Sequence, residues 1–244
     1  MRQIALTVQY DGTDYSGFQI QRGAPTLQAE LQKCLSEVLQ HRIEVTGAGR
    51  TDAGVHALGQ VVTLRTSNPI PEVALIEATN NVLPSAISVL ECVEVPDEFH
   101  ASHSARGKLY SYRILNRELR SPFINRFAWH VREALDEDLM LEAGRHLLGE
   151  HDFAAFAAAG SSAKTTVRKL FRLSVEREGD LIECRIGGNG FLYKMVRNIV
   201  GTLVDVGRSA LSPADVGEIL DGCDRSKASP TAPPQGLCLV RVEY

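Results

Sequence analysis

The stretch VTGAGRTDAGVHA, Val45 to Ala57, places a polar, glycine-rich loop directly after an apolar run. This pattern predicts a strand that feeds a turn. Two of its glycines, Gly47 and Gly49, begin the G-x-G-x-x-G spacing of a dinucleotide-binding loop. The sixth position of that spacing is Asp52, where a dinucleotide site needs a small uncharged residue, because a carboxylate there would repel the pyrophosphate. We therefore do not interpret the stretch as a dinucleotide site.

The composition is that of an ordinary globular protein. The chain has 244 residues, of which 44% are hydrophobic and 23% charged, and this length suits one large domain or two small ones. The net charge of −4 argues only weakly against nucleic acid, because salt screens charges beyond about 8 Å and a local basic surface matters more. The five cysteines form no C-x-x-C pair, which disfavours zinc and disulfides and fits a cytoplasmic protein. No apolar run is long enough to cross a bilayer, so we expect no membrane association.

Strand patterns alternate with helix patterns along the chain, and several strand patterns are adjacent. Strands are predicted around residues 4–8, 61–64, 89–95, 108–115, 170–176, 181–186 and 237–242, and helices around 27–39, 71–81, 136–148, 191–206 and 213–220. This order predicts an α+β fold with antiparallel sheets. We place a boundary near Pro122, which divides the chain into residues 1–116 and 117–244. The segment DRSKASPTAPPQG is interpreted as a surface loop.

Asp52 is the first candidate for chemistry. Arg50 precedes it by two positions and favours an ionised carboxylate, while Gly54 lets the backbone approach a ligand closely. An exposed ionised carboxylate can act as a nucleophile or a general base. The residues alone leave open a turn Asp that bonds its own backbone. His56 is an alternative general base.

The segment SARGKLYSYRI interleaves basic and aromatic residues, namely Arg106, Lys108, Tyr110, Tyr112 and Arg113. Cations that meet phosphates and aromatic faces that stack on unpaired bases suit RNA. A strand with its aromatic face in the core and its cations on the other face explains the pattern equally well.

The segment GGNGFLYKMVRNIVG carries Lys194 and Arg197 three positions apart, so a helix there would present both on one face. The preceding glycines would leave the N–H groups of the helix N-terminus open to an anion. The alternative is an amphipathic core helix with a solvated basic side. The spacing of His100 and His103 does not by itself make a metal site.

Taken in order, these segments resemble the TruA family of tRNA pseudouridine synthases. GAGRTDAGVHA looks like the signature loop of that family, and YDGTDYSGFQIQ, TLQAEL, FHASHSARGKLYSYRI, GEHDFAAF, GNGFLYKMVRNIVGTL and PPQGLCLVRVEY look like family segments in family order. The resemblance implies the pseudouridine synthase fold, with two similar α/β halves whose antiparallel sheets flank a basic central cleft. It also implies a homodimer that isomerises uridine at positions 38, 39 and 40 of the tRNA anticodon stem-loop, with no cofactor and no metal.

The resemblance also assigns roles to particular residues. Asp52 matches the catalytic carboxylate, Tyr110 matches the residue that packs on the target base, and Arg50 precedes the carboxylate in the signature. Arg197 resembles the basic residue that pairs with the catalytic Asp. Further phosphate contacts are expected from Lys108, Lys194, Arg106 and Arg168. The chain departs from the common F-H-A-R-F-S-A pattern at Ser102 and His103, which affects one expected RNA contact.

The proposed reaction is consistent with these residue types. It breaks the bond from ribose C1′ to uracil N1, turns the base and rejoins it through C5, so nothing is oxidised. A carboxylate can attack C1′, attack C6 or support a glycal-like route, and the sequence leaves all three open. Flipping the base out of its stack costs a few kcal/mol, and stacking on Tyr110 returns roughly 1–3 kcal/mol. Two other functions remain open: a non-catalytic tRNA-binding module or chaperone, and a glycosidase or nucleosidase that uses Asp52.

Overall fold

The computed structural model describes residues 1–160 and 163–244, and they form two compact units. Met1–Arg106 and Cys238–Tyr244 make the first unit, and Gly107–Leu237 make the second. This division differs from the predicted one after residue 116. The strand that starts at Gly107 pairs with a strand near residues 181–188, so it belongs with the second unit, and the last strand returns to the first.

The first unit is an antiparallel arrangement of strands with two helices. Its elements are β1 (Arg2–Tyr10), α1 (Leu27–Leu39), β2 (Thr46–Gly47), β3 (His56–Thr66), α2 (Glu72–Val82) and β4 (Ile87–Val95). Strand β1 lies between β3 and β4 and is antiparallel to both. Its alternating apolar residues Ile4, Leu6 and Val8 are buried, as the sequence predicted. The strand predicted before the signature loop is only the two-residue β2, which pairs with β3.

The second unit is also built on antiparallel strands. Its elements are β5 (Gly107–Asn116), β6 (Trp129–Val131), α3 (Glu137–Arg145), β7 (Gly149–Asp152), β8 (Val167–Glu178), β9 (Leu181–Gly188), α4 (Met195–Gly207) and α5 (Pro213–Gly222). Strand β9 lies between β5 and β8 and is antiparallel to both, and β7 pairs with the other edge of β8. Strands β6 and β7 were not predicted, because three or four residues carry too little pattern to identify a strand.

The C-terminal strand β10 (Leu237–Glu243) completes the first unit. Cys238 and Leu239 pair in parallel with His56 and Ala57, the last residues of the signature stretch. A Cβ atom on Gly59 would lie 2.7 Å from the carbonyl oxygen of Val240, so glycine permits this close approach. The end of the signature stretch is therefore fixed by its strand neighbours.

Some of the helix ends lie where the sequence predicts them, and others do not. Asp136 caps α3 by accepting hydrogen bonds from two backbone N–H groups, and Ser212 begins α5 with a capping box. Thr26 occupies the N-cap position of α1, but its buried hydroxyl makes no capping bond. The helix predicted from Phe191 begins only at Met195, because Lys194 adopts a left-handed backbone conformation with φ of 58°.

The predicted α+β class with antiparallel sheets is confirmed. Among the described residues, no helix is both long and apolar enough to cross a membrane.

Candidate active site

The signature loop of the first unit has an alternating pattern of exposure around Asp52. Arg50 is exposed, Thr51 is only 6% exposed, and Asp52 is half-buried. The backbone N–H of Val55 donates to the carbonyl of Asp52 at 3.1 Å and closes a turn there. The loop thus directs Thr51 into the protein and leaves part of Asp52 accessible to a substrate.

Two polar side chains, Tyr10 of β1 and Gln60 of β3, hold the loop from the sheet side. The hydroxyl of Tyr10 lies 2.8 Å from the Oγ1 of Thr51. The Nε2 of Gln60 donates to the carbonyl of Gly49 at 2.9 Å and lies 3.4 Å from the Tyr10 hydroxyl. Burial raises the pKa of Tyr10, so its phenol stays neutral and keeps its hydroxyl hydrogen. Strands β1 and β3 therefore fix the residue directly before Asp52.

The polar loop after β1 holds the signature loop from a second side. The backbone N–H of Phe18 donates to the carbonyl of Thr51 at 3.0 Å, and that of Gly54 donates to the carbonyl of Tyr15 at 3.3 Å. Gly17 has φ of +98°, and a Cβ atom there would lie 2.8 Å from the Thr51 carbonyl oxygen. A larger residue at this position would displace the loop.

Sequence reasoning missed Tyr10, Thr51 and Gln60. One signal was present for Tyr10, which continues the inward-facing series of Ile4, Leu6 and Val8 on β1. A polar group at such a position is buried and needs a hydrogen-bond partner. Which partner it finds is not visible in the sequence.

His56, the alternative general base, is 5% exposed. Its Nδ1 accepts the backbone N–H of Gly12 at 3.1 Å and lies 3.2 Å from the carboxylate of Asp11. A Cβ atom on Gly12 would lie 2.0 Å from the carbonyl oxygen of Val55, so these two segments touch through their backbones. This packing favours a structural role for His56.

In the second unit, Lys108, Tyr110 and Tyr112 share one face of β5, and Arg113 lies on the opposite face near Glu183. The alternative interpretation, with the aromatic residues on one face and the cations on the other, therefore does not hold for Lys108. Burial lowers the pKa of the Lys108 ammonium. The hydroxyl of Tyr112 donates to the carbonyl of Pro233 at 2.7 Å, so Tyr112 belongs to the core.

Tyr110 is 8% exposed. Its ring packs edge to face with the ring of Phe191, with the ring centroids 5.1 Å apart and the planes at 83°. Such edge-to-face pairs are worth about 0.5–1.5 kcal/mol beyond the area they bury. Phe191 therefore helps to fix the orientation of the Tyr110 ring.

Lys194 and Arg197 do not share a helix face, because the left-handed Lys194 lies outside α4. The ammonium of Lys194 lies 5.0 Å from the ring centre of Tyr193. The Nε of Arg197 donates to the carbonyl of Ala232 at 2.7 Å. All residues of α4 except Arg197 and Asp205 are buried, so the alternative of a helix with a solvated basic side does not hold. The helix is covered on nearly all sides by the rest of the unit.

Arg168, another expected phosphate contact, has local partners. The guanidinium of Arg168 donates to the carbonyls of Thr165 and Val167 at 2.9 and 2.6 Å. In the departing segment, the rings of His100 and His103 stack with centroids 4.0 Å apart. Among the described residues, no group of three or more His, Cys, Asp or Glu side chains can hold a metal ion.

The candidate residues divide between the two units. Arg50 and Asp52 lie on the signature loop of the first unit, while Tyr110 and Arg197 belong to the second, together with Lys108 and Lys194. The first unit offers a half-accessible carboxylate on a firmly held loop, which is suited to nucleophilic or general-base chemistry. The second unit offers an aromatic ring and several cations, which are suited to a nucleic acid.

Comparison with known proteins identifies close relatives over the whole chain. A family model described as tRNA pseudouridine synthase matches residues 6–104 and 143–244. A protein named tRNA pseudouridine synthase A from Thermoanaerobacter sp. (strain X514) is 45% identical over 244 residues, covering 100% of both chains. Proteins of the same name from Pelobacter propionicus and Ruminiclostridium cellulolyticum are 45% and 46% identical, again over 100% of both chains.

Proposed function

The chain belongs to the tRNA pseudouridine synthase family, isomerases that act on tRNA, and from that premise we propose its target and its catalytic residue. The target is uridine at positions 38, 39 and 40 of the anticodon stem-loop, and Asp52 is the catalytic carboxylate. The observation that carries the proposal is the way the signature loop is held. The buried side chains of Tyr10 and Gln60 and the polar loop after β1 hold Gly49 and Thr51, and the partly exposed Asp52 follows directly.

The reaction needs little beyond a fixed carboxylate. Asp52 stabilises the break between C1′ and N1, either as a nucleophile or through its negative charge. After the base turns, C5 bonds to C1′, and the proton on C5 leaves to a base. Uridine and pseudouridine have the same atoms, so the reaction requires no oxidant or reductant. Preorganised charge is worth most when its position does not change during the reaction.

Tyr110 is proposed to contact the flipped target base. Stacking on one aromatic ring returns roughly 1–3 kcal/mol of a flipping cost of a few kcal/mol. Because Tyr110 is only 8% exposed, a base can stack on it only when more of the ring becomes accessible. Arg50, Lys108 and Lys194 are proposed to supply the remaining binding energy through the charged groups of the RNA. Arg197 is proposed to bind the substrate at the reacting nucleotide, so that it takes part in the reaction.

Tritium release from tRNA labelled at uridine C5 tests the catalytic assignment. Wild-type protein is expected to release tritium, and Asp52→Asn to release none while it still binds tRNA in a gel-shift assay. Asp97→Asn is the matched control, because it makes the same change at an exposed carboxylate of the first unit. Turnover by Asp52→Asn at the wild-type rate would refute the role of Asp52.

Two further outcomes separate the alternatives. Binding of tRNA without tritium release by the wild type would favour the non-catalytic module, and release of free uracil would favour a nucleosidase. The target positions are tested with tRNAs that keep a single uridine at 38, 39 or 40. Carbodiimide mapping should find pseudouridine at those positions, and product found only elsewhere would contradict the proposed target.

A homodimer in the cytoplasm is also proposed, from the family resemblance. Analytical ultracentrifugation at micromolar concentration should give the mass of two chains, and a fully active monomer would contradict it. Cell fractionation should recover the protein in the cytoplasmic fraction.

A further inference from the structure

The Pro/Ser-rich segment before the last strand packs against helix α4, contrary to its interpretation as a surface loop. Ala228, Ser229 and Ala232 are 8%, 7% and 1% exposed. A Cβ atom on Gly201 of α4 would lie 2.1 Å from the carbonyl oxygen of Pro230. The backbone of the segment therefore touches the backbone of the helix, and only a glycine allows this approach.

Asn198 of α4 is the centre of a polar cluster that holds the segment. Its side chain is fully buried, and its Nδ2 donates to the carbonyl of Phe156 at 2.7 Å. Its Oδ1 accepts from the hydroxyl of Thr231 at 2.7 Å and from the Nη2 of Arg225 at 3.2 Å. The same Nη2 lies 3.3 Å from the Thr231 hydroxyl. Both acceptor positions of the buried amide oxygen are thus used.

Arg197, the neighbour of Asn198, is joined to the same segment twice. Its Nε donates to the carbonyl of Ala232 at 2.7 Å, and the backbone N–H of Ala232 donates to the carbonyl of Arg197 at 3.1 Å. Ala232 directly follows Thr231. The cluster that fixes Thr231 therefore also fixes the acceptor of the Arg197 Nε.

We propose that Asn198, Thr231 and Arg225 are positioning residues for Arg197, which they hold through the carbonyl of Ala232. This rests on the proposed function, in which Arg197 takes part in the reaction. A free arginine side chain samples many rotamers, and a fixed Nε removes much of that freedom before the substrate arrives. The terminal nitrogens of the Arg197 guanidinium are then directed toward the substrate, and the three positioning residues act through Arg197 without touching the RNA themselves.

Thr231→Val tests this, because it removes the hydroxyl and keeps the shape of the side chain. We expect kcat for pseudouridine formation to fall about 10-fold, since small displacements of functional groups cost up to about 100-fold. The KM for tRNA should stay within about twofold of wild type, because phosphate contacts elsewhere dominate affinity. Thr231→Ser should restore kcat, because it restores the hydroxyl.

Ser226→Ala is the matched control in the same segment, because the Ser226 hydroxyl donates to the carboxylate of its near neighbour Asp224 at 2.8 Å and not to Asn198. It should leave kcat unchanged. Arg225→Met is a second test variant, which removes the other donor to Asn198 and should also lower kcat with little change in KM.

A readout that does not depend on activity is the NMR signal of the Arg197 Nε–H, assigned by its loss in Arg197→Lys. It should exchange slowly with solvent in wild type and Ser226→Ala, and faster in Thr231→Val. Unchanged exchange and unchanged kcat in Thr231→Val would overturn the proposal, as would faster exchange with unchanged kcat. A wild type that forms no pseudouridine would instead overturn the proposed function, and with it the catalytic sense of the positioning.

Discussion

Replacing Tyr10 by Phe removes one hydroxyl beside the catalytic loop and leaves the aromatic ring in place. Thr51 is 6% exposed and lies 2.8 Å from that hydroxyl, so its own hydroxyl loses a partner that water cannot easily replace. Such a loss costs about 1–3 kcal/mol. Gln60 keeps its hydrogen bond to the carbonyl of Gly49, so this part of the loop stays anchored to β3. We therefore expect a loss of stability of about 1–2 kcal/mol.

Because Thr51 precedes Asp52, the same change should also lower turnover. A displacement that raises the activation free energy by about 1.4 kcal/mol slows the reaction about tenfold. Tritium release at saturating tRNA measures kcat, and hydrogen exchange followed by mass spectrometry measures the stability of β1 and β3 separately from the second unit. The dissociation constant for tRNA should not change.

Tyr244→Phe is the matched control for this prediction. It also removes a phenol hydroxyl of the first unit, which donates to the carbonyl of Ala101 at 2.8 Å, remote in sequence from the loop. It should lower stability by about 1 kcal/mol and leave kcat unchanged. The effects of Tyr10→Phe and Thr51→Val should not add, because each removes the same bond. Additive effects, or equal kcat values for Tyr10→Phe and wild type, would refute the anchoring of the loop.

Three further predictions concern stability and reactivity. Asp136→Ala should lower the free energy of unfolding by about 1 kcal/mol in urea, because the Asp136 side chain caps α3. Thr26→Val should leave the free energy of unfolding nearly unchanged, because the Thr26 hydroxyl makes no capping bond. Equal losses for the two variants would contradict this difference in capping. Burial raises the pKa of Cys184 to about 12, so at pH 8 Ellman's reagent should label exposed Cys223 first and Cys184 only after unfolding, as peptide mass spectrometry can check. Burial also raises the pKa of Tyr112, so the unfolded state alone loses this proton above about pH 10 and stability should fall as pH rises further. Tyr112→Phe should flatten that fall in thermal melts, and an unchanged slope would contradict the assignment.

Much of the protein was predictable from its sequence. The alternation of Ile4, Leu6 and Val8 predicted β1, and Asp136 predicted the start of α3, because both signals depend on neighbouring residues only. The ordered motifs predicted the tRNA pseudouridine synthase family, which the full-length relatives confirm. The roles of Asp52 and Tyr110 stay predictions.

Local backbone geometry was harder to predict. Lysine is common inside helices, yet Lys194 has a positive φ, and α4 therefore begins only after it, at Met195. The segment from Asp224 to Gly236 has the composition of a surface loop, yet its backbone packs on Gly201. Composition indicates the conformational preferences of single residues, but it does not indicate which backbone atoms will come into contact in the folded chain.

The sequence by itself thus determined the longer strands and helices, the fold class and the family, since these depend on periodic burial and on ordered motifs. Only the tertiary structure decided which polar side chains meet. Tyr10 and Thr51 are 41 residues apart, and Asn198 and Thr231 are 33 apart. Such pairs form because folding buries Tyr10, Thr51 and Asn198, whose polar groups must then find hydrogen-bond partners within the protein.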